Sequence, residues 1–377
     1  MSALSIVFIG LSITSSWGNG HATTYRSLIG ALAKRGHDVL FLERDLPWYA
    51  DSRDLPHPPY GRTCLYRNLR ELERRFSAAV AQADLVVVGS YVPEGVEVGR
   101  WVIDTARGIT AFYDIDTPVT VAKLDRGDKE YLSADQIPLY DLYLSFTGGP
   151  LLARLAHDYG ARRPLPLYCS ADPDLYFPEP VERSWDLGYL GTYSADRQPG
   201  LERRLLAVAR RLPEHRFAVA GPQYPDSLTW PRNVTRIEHL APGEHRRFYN
   251  AQRFTLNLTR QEMVRAGWSP SVRLFEAAAA GAPIISDWWE GLDRLFEPDR
   301  EILIANDADD VVRFLTEIPE ARRRAIGFAA RRRVLSAHTA AHRTAELEHY
   351  VRTEQSRAAV RSAIGRARTA TMAANKA

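Results

Sequence analysis

The feature that most constrains this chain is an alternation that begins at once. A short, largely β-branched run, "SIVFIGLS" (residues 5–12), leads into a polar, Gly-bearing loop. Then "YRSLIGALAKRGH" carries apolar residues at helical spacing and closes at Gly36, and "DVLFLE" follows. Uninterrupted apolar runs of this length are covered on both faces, as parallel strands are, and parallel neighbours need a crossover between them. The chain therefore opens on a βαβ unit. The alternation continues with "ADLVVVGS" (83–90), "GITAFYDID" (108–116) and "YDLYLSFT" (140–147) as strands, and "PLLARLAHDYG" (150–160) as a helix ending at Gly. Such a series predicts a doubly wound parallel sheet.

The stretch "CSADPDLYFPEPVERS" (169–184) is rich in Pro and has no periodicity, which suits a linker. Beyond it the pattern restarts. "WDLGYLGTY", "HRFAVAGP", "FTLNLT", "APIISD" and "ILIA" read as strands, while "GLERRLLAVARRLP", "SVRLFEAAAAG", "ADDVVRFLTEI" and the long run from "EARRR" to "HYVR" read as helices. The expected organisation is an N-terminal domain over 1–176, a linker over 177–184, a second domain over 185–352 and a flexible basic tail over 353–377. The two halves show no sequence repeat. The predicted fold class is α/β: two doubly wound Rossmann-like domains facing each other across a cleft. Ligands of open α/β sheets sit outside the carboxyl ends of the strands, so function is expected in the loops that follow strands.

Composition narrows the partners. At 377 residues the chain has room for about two domains. A formal net charge of +3 does not point to a nucleic-acid partner. Lys occurs only at 34, 123, 129 and 376, so Arg carries nearly all the positive charge. Cys64 and Cys169 are far apart and lack metal spacing, which reads as two thiols in a reducing compartment. No apolar run approaches the ~18–20 residues that span a bilayer, and no signal peptide is evident. The expectation is a cytoplasmic protein with no transmembrane segment. The sequons at Asn233 and Asn257 are taken as chance.

Four constellations carry chemistry. In "SSWGNGHATTYR", Gly18 and Gly20 free the backbone to approach a ligand, a helix N-terminus follows, and His21 is suited to acid–base work near neutral pH. The spacing matches neither a dinucleotide fingerprint nor a Walker A loop; the plainer reading is a tight turn with a surface His. In "FYDIDTPVT", Asp114 and Asp116 close a strand, and their spacing of two aims both carboxylates to one side, towards the cleft; the plainer reading is an Asx-turn and helix cap. In "GYLGTYSADRQPGLERRLL", Gly188 and Gly191 bracket a strand end, with Arg197 at a helix start, a setting that suits a diphosphate. In "GWSPSVRLFEAAAAGAPIISD" (267–287), Ser269 is the expected N-cap, Pro270 fits the first helical turn, and the Ala run keeps the helix thin. Arg273 and Glu276, three apart, share a face. Either they form a surface ion pair, or Glu276 is buried and needs a partner bearing hydroxyls or positive charge.

With these residues assembled, the chain resembles the GT-B glycosyltransferases over nearly all of residues 5–350. More narrowly it is similar to the CgeB-like (spore-maturation-type) branch of the family 1/family 4-like transferases. The stretches that carry the resemblance are "GHATTYRSLIGALAKRGHDVLFLERD", "FYDIDTPVT", "LYCSADPDLYFP", "YLGTYSADRQP" and "TRQEMVRAGWSPSVRLFEAAAAGAPIISDWWEGLDRLF", in that order.

The resemblance implies a Leloir-type transfer, of a hexosyl or related group, from a nucleotide-diphosphate sugar to an acceptor hydroxyl. It implies no metal and no permanently bound cofactor; a UDP-sugar is the favoured co-substrate. The second domain would hold the nucleotide and the first the acceptor, whether glycan, lipid-linked or small molecule. Relatives carry two Glu around this helix start: the second, which binds ribose, matches Glu276, and Trp268 stands where the first would fall. Gly191 and Arg197 match the diphosphate region, where the usual Lys is absent, so that Arg197, Arg260 or Arg273 would supply the charge. Gly221, Ser269 and Ser271 complete the donor-side set. His21 and Asp116, with Asp114 beside them, are the candidates for catalytic base or acceptor positioning, and Gly18 and Gly20 shape the acceptor-side loop. Two alternatives are a nucleotide-sugar epimerase on the same fold and a non-catalytic nucleotide-sugar-binding protein. A third is a membrane-surface transferase using the basic residues of 321–334, whose plainer reading is a solvated helix face.

Overall fold

The computed structural model describes residues 3–18 and 20–374, with side chains described as far as residue 360. The first sheet consists of β1 (Ser5–Gly10), β2 (Asp38–Arg44), β3 (Arg62–Tyr66), β4 (Leu85–Gly89), β5 (Ile109–Asp114), β6 (Leu142–Ser145) and β7 (Pro164–Pro166). Their order is β3-β2-β1-β4-β5-β6-β7, every pair parallel. The second sheet consists of β8 (Trp185–Leu190), β9 (Phe217–Ala220), β10 (Val234–Ile237), β11 (Gln252–Asn257), β12 (Ile284–Ser286) and β13 (Leu303–Ile304). It runs β10-β9-β8-β11-β12-β13, again all parallel. The two halves share no sequence repeat, yet they share a winding. In each, strand order reverses between the first and fourth strands, β1/β4 and β8/β11, and that reversal opens a crevice at the carboxyl ends.

The strands are apolar throughout because both sheet faces are covered. Within β1, Val7 and Ile9 pack into one core cluster, with Leu40, Val86 and Phe112. Ile6 and Phe8 pack into the opposite one, with Phe41, Val87 and Tyr113. This is the period-two split of a strand buried on both sides. Three strands escape the sequence reading: β3, β7 and β10. Each lies at a sheet edge, where one flank is unpaired and the apolar run is short or broken by charge.

The end of the chain differs from expectation. The helix Glu320–Ala337 stops at His338. Here the backbone pairs with Ala171: Ala171 N donates to His338 O (3.2 Å) and Ala340 N to Ala171 O (3.0 Å). The helix Ala340–Ala374 then returns to the first domain. Leu347 and Val351 join the core of Leu4, Ile6, Leu28 and Ile29. Glu348 accepts from Arg35 Nε (2.7 Å), and its Oε1 lies 2.7 Å from His37 Nε2. Residues 340–352 therefore pack with the first domain rather than the second. The segment expected as a tail from Thr353 continues the same helix to Ala374, in keeping with the helix propensity of an Ala- and Arg-rich run. Residues 375–377 lie outside the described residues. Among the described residues no helix is long and apolar enough to cross a membrane.

Candidate active site

A cavity of about 590 Å³ opens between the two sheets, lined from the loops that follow β1, β4, β5, β8, β9 and β11. On the first-domain side the loop after β1 is held from below by Glu43, at the end of β2 and wholly buried. Glu43 accepts from the amides of Ile13 (2.7 Å) and Thr14 (2.9 Å) and from the hydroxyls of Thr14 (2.6 Å) and Ser12 (3.2 Å). A buried carboxylate needs this many partners, and meeting that need fixes the loop. Gly18 and Gly20 then line the cavity, and His21 opens the helix His21–Lys34. The His21 ring meets Tyr91 edge-on, centroids 5.4 Å apart, and its Nε2 lies 3.8 Å from Asp116 Oδ2.

The paired carboxylates separate. β5 ends at Asp114, so the alternation that would align Asp114 with Asp116 is lost where the chain turns into the helix Thr117–Asp125, with Asp116 at its N-cap. Asp116 lines the cavity. Burial pushes its carboxyl up, but the neighbouring His21 imidazole and the charge of Arg260 outweigh this and hold it below the usual carboxylate range. Asp114 points the other way. It is fully buried and accepts from Tyr143 Oη (2.6 Å) and Thr120 Oγ1 (2.8 Å), and burial pushes its carboxyl up to about 6. The expectation that Asp114 faces the cleft is corrected: it supports the floor beneath Asp116.

On the second-domain side, Gly191 and Gly221 bring two strand-end loops into backbone contact. Gly221 has φ +141, and a Cβ there would fall 2.1 Å from Gly191 O. Arg273 reaches the same place from the helix Val272–Ala279. Its Nε donates to Leu190 O and its Nη1 to Asn257 Oδ1 (2.8 Å), and its guanidinium lies 4.9 Å from the Tyr189 ring centre. Arg197 donates through Nη2 to Thr192 O (2.7 Å). Among the described residues neither Arg197 nor Arg273 has a carboxylate partner; Arg260 approaches Asp196 at 3.9 Å. All three line the cavity.

Glu276, on the turn after Arg273, is only 3% exposed. It accepts from Tyr176 Oη (2.9 Å) and Tyr249 Oη (3.3 Å), with His245 Nδ1 3.8 Å away. Burial, with the charge of Glu276, pushes both Tyr hydroxyls well above their ordinary value, so they remain donors. The surface ion pair is therefore ruled out: Arg273 and Glu276 are both buried and bonded elsewhere.

The helix start is shifted from expectation. The N-cap is Ser271, whose Oγ donates to Asn257 Oδ1 (2.8 Å), and Ser271 lines the cavity. Ser269 is buried outside the cavity lining, its Oγ 2.7 Å from Thr147 Oγ1 of the first domain. Trp268, with φ 49, is likewise not part of the lining. Its indole is wedged between Gly149 and Gly291, where any Cβ would meet the ring at 2.2 and 2.4 Å.

Residues 197–349 match the family model described as Glycosyl transferase-like. No curated protein matches the chain. Among solved structures, the chain superposes on sucrose-phosphate synthase (tll1590) from Thermosynechococcus elongatus with a TM-score of 0.69 at 16% identity, over 92% of this chain and 98% of that one. Anabaena Alr3699/HepE, in complex with UDP and glucose, gives 0.69 at 12%, over 93% and 100%. An α-glucosyltransferase in complex with UDP and a 13-mer DNA containing a HMU base gives 0.70 at 12%, over 93% and 100%. The fold is GT-B.

In this GT-B chain the cleft gathers His21, Asp116, Gly18 and Gly20 from one domain and Gly191, Arg197, Gly221, Arg260, Ser271, Arg273 and Glu276 from the other. Tyr176, Tyr249, His245 and Asn257 were not singled out from the sequence. Tyr176 comes from the segment read as the end of the first domain, and only the folded chain sets it beside Glu276, 100 residues on. Asn257 sits in a sequon, but it is wholly buried and binds Arg273.

Proposed function

We propose that the protein is a metal-independent glycosyltransferase that moves a sugar from a nucleoside diphosphate sugar, UDP-linked by preference, to an acceptor hydroxyl. The observation that carries this reading is the charge arrangement of the second-domain wall. Two guanidiniums that have no carboxylate partner among the described residues, Arg197 and Arg273, line the same cavity as a buried carboxylate held by two Tyr hydroxyls. Guanidiniums that line a cavity without a carboxylate, one of them (Arg273) buried, call for an anion. A nucleoside diphosphate supplies one, and its ribose hydroxyls supply donors for Glu276. As the glycosyl bond breaks, negative charge grows on the leaving diphosphate, and fixed guanidiniums stabilise it without rearranging. Two relatives in fold, HepE and the α-glucosyltransferase, have UDP bound.

Across the cleft, Asp116 stays ionised and lies against His21, an arrangement that can take a proton from an acceptor hydroxyl or orient it. The transferred group in this reading is a hexosyl or related unit. The placement in the CgeB-like branch rests on the five motif stretches in their order. A cytoplasmic setting fits the two free thiols, Cys64 and Cys169.

The test is calorimetric titration with UDP, GDP, dTDP and ADP and with their sugars, followed by turnover of whichever sugar binds, with and without a chelator. Binding of a nucleoside diphosphate that the Arg197→Ala and Arg273→Ala variants lose supports the reading. Absence of nucleotide binding removes it, and activity abolished by the chelator removes metal independence.

A further inference from the structure

The first-domain wall continues outward from His21 into a rim built around two exposed indoles. Trp17 is 39% and Trp48 58% exposed. Trp17 lies between Ser16 and Gly18, both of which line the cavity. Trp48 adjoins Tyr49, which also lines it, with ring centres 6.1 Å apart. Large aromatic surface left in water beside a cavity marks a binding surface.

The rim is pre-built. Leu55 N donates to Thr14 O (3.0 Å), Ser15 Oγ to Ser52 O (2.7 Å) and Ser16 N to Asp54 Oδ1 (2.8 Å). Arg26 donates to Asp54 through both Nη atoms (2.7 and 3.0 Å) and to Ile13 O (2.8 Å). Arg53 bridges Thr14 Oγ1 (3.0 Å) and Asp45 (2.6 Å). The loop bearing Trp17 and the segment just after Trp48 are thus stapled together, over the buried Glu43.

The same network sets the chemistry of the ligand. Its two cations are spent on carboxylates, Arg26 on Asp54 and Arg53 on Asp45, so among the described residues this network leaves neither free for a phosphate or an anionic headgroup. The wall inside it presents hydroxyls and aromatic rings: Ser16, Thr23, Thr24 and Tyr49. Uncharged hydroxyls beside flat indoles fit sugar rings, whose C–H faces stack on aromatics while their edges hydrogen-bond.

We propose that this rim is the acceptor subsite for a neutral oligosaccharide, whose terminal sugar reaches the His21–Asp116 pair while outer sugars stack on Trp17 and Trp48. The assignment rests on the glycosyltransferase reading. The test is calorimetric titration of the full chain, saturated with UDP, with neutral hexasaccharides of α- and β-linked glucose and of N-acetylglucosamine. Vesicles of phosphatidylglycerol and phosphatidylcholine are titrated in parallel. The expected result is binding of a neutral hexasaccharide that Trp17→Ala and Trp48→Ala each weaken roughly ten-fold and Phe at either position largely restores, while UDP affinity stays unchanged. Binding to the anionic vesicles in place of any saccharide overturns the proposal. So does saccharide binding indifferent to both Ala variants, or binding of UDP with none of the saccharides. Failure to bind UDP or any other nucleoside diphosphate is a separate outcome: it removes the glycosyltransferase reading, and the acceptor subsite with it.

Discussion

Arg273 and Glu276 sit one turn apart on a buried helix and do not pair. Arg273 is bonded to Leu190 O and Asn257, and Glu276 to Tyr176 and Tyr249. Neither is spent on the other, and both line the cavity, which makes the pair the natural place to probe the donor site.

Glu276→Ala is expected to raise the donor Kd and KM about ten- to a hundred-fold, the range for losing hydrogen bonds to a charged group. The kcat should fall less if the ribose contact is made equally in ground and transition states. Titration of UDP and steady-state kinetics check this; an unchanged donor constant removes Glu276 from the ribose site.

For Arg273, both Ala and Lys are expected to weaken UDP binding by about ten-fold or more. Lys should not rescue, because the planar guanidinium meets Leu190 O, Asn257 and the Tyr189 ring together and an ammonium cannot. UDP affinity retained by the Lys variant would show that charge alone suffices there.

Asp114 should leave a pH signature in stability rather than in binding. Its carboxyl is pushed up by burial to about 6 from 3.8, with the hydrogen bonds from Tyr143 and Thr120 offsetting only part of the effect. Between those values the folded state holds more protons than the unfolded one, so this group's contribution falls as pH rises through the window and stays low above it. The loss is on the order of 3 kcal/mol. Asp114→Asn is therefore expected to gain stability relative to the parent between about pH 4 and 7, read from urea midpoints. A difference independent of pH would mean that Asp114 titrates normally.

Trp268→Glu places a carboxylate where the resemblance to GT-B transferases implies one. Because the indole is wedged between Gly149 and Gly291 and lies outside the cavity lining, the substitution should cost about 3–5 kcal/mol, as removing a packed aromatic does. It should not tighten donor binding. Thermal unfolding and UDP titration test both halves; tighter binding of a UDP-sugar would show that position 268 can reach the donor after all.

Much of the fold was legible because its signal is local. Apolar runs of strand length alternating with helical periodicity identify a doubly wound sheet wherever the strands are covered on both sides, and the central strands β1, β4, β5, β8 and β11 all stand out this way. The edge strands β3, β7 and β10 do not, because they lack that double cover. For the site, glycines and charged residues at strand ends were visible, and most of them meet in the cavity. Asp114 and Ser269 were misplaced because a strand or helix boundary fell two residues from where the pattern put it. Past such a boundary the assumed period no longer holds, and the side chain points elsewhere.

By itself the sequence determined the two α/β halves, the loops that would face a ligand and the residue types available there. Tertiary structure alone decided that Tyr176 and Tyr249 hold Glu276, that Glu43 pins the loop ahead of His21, and that the last helix belongs to the first domain. These are contacts between groups far apart in the chain. No periodicity or spacing encodes them, since they exist only once burial has brought their elements together and obliged each buried polar group to find a partner.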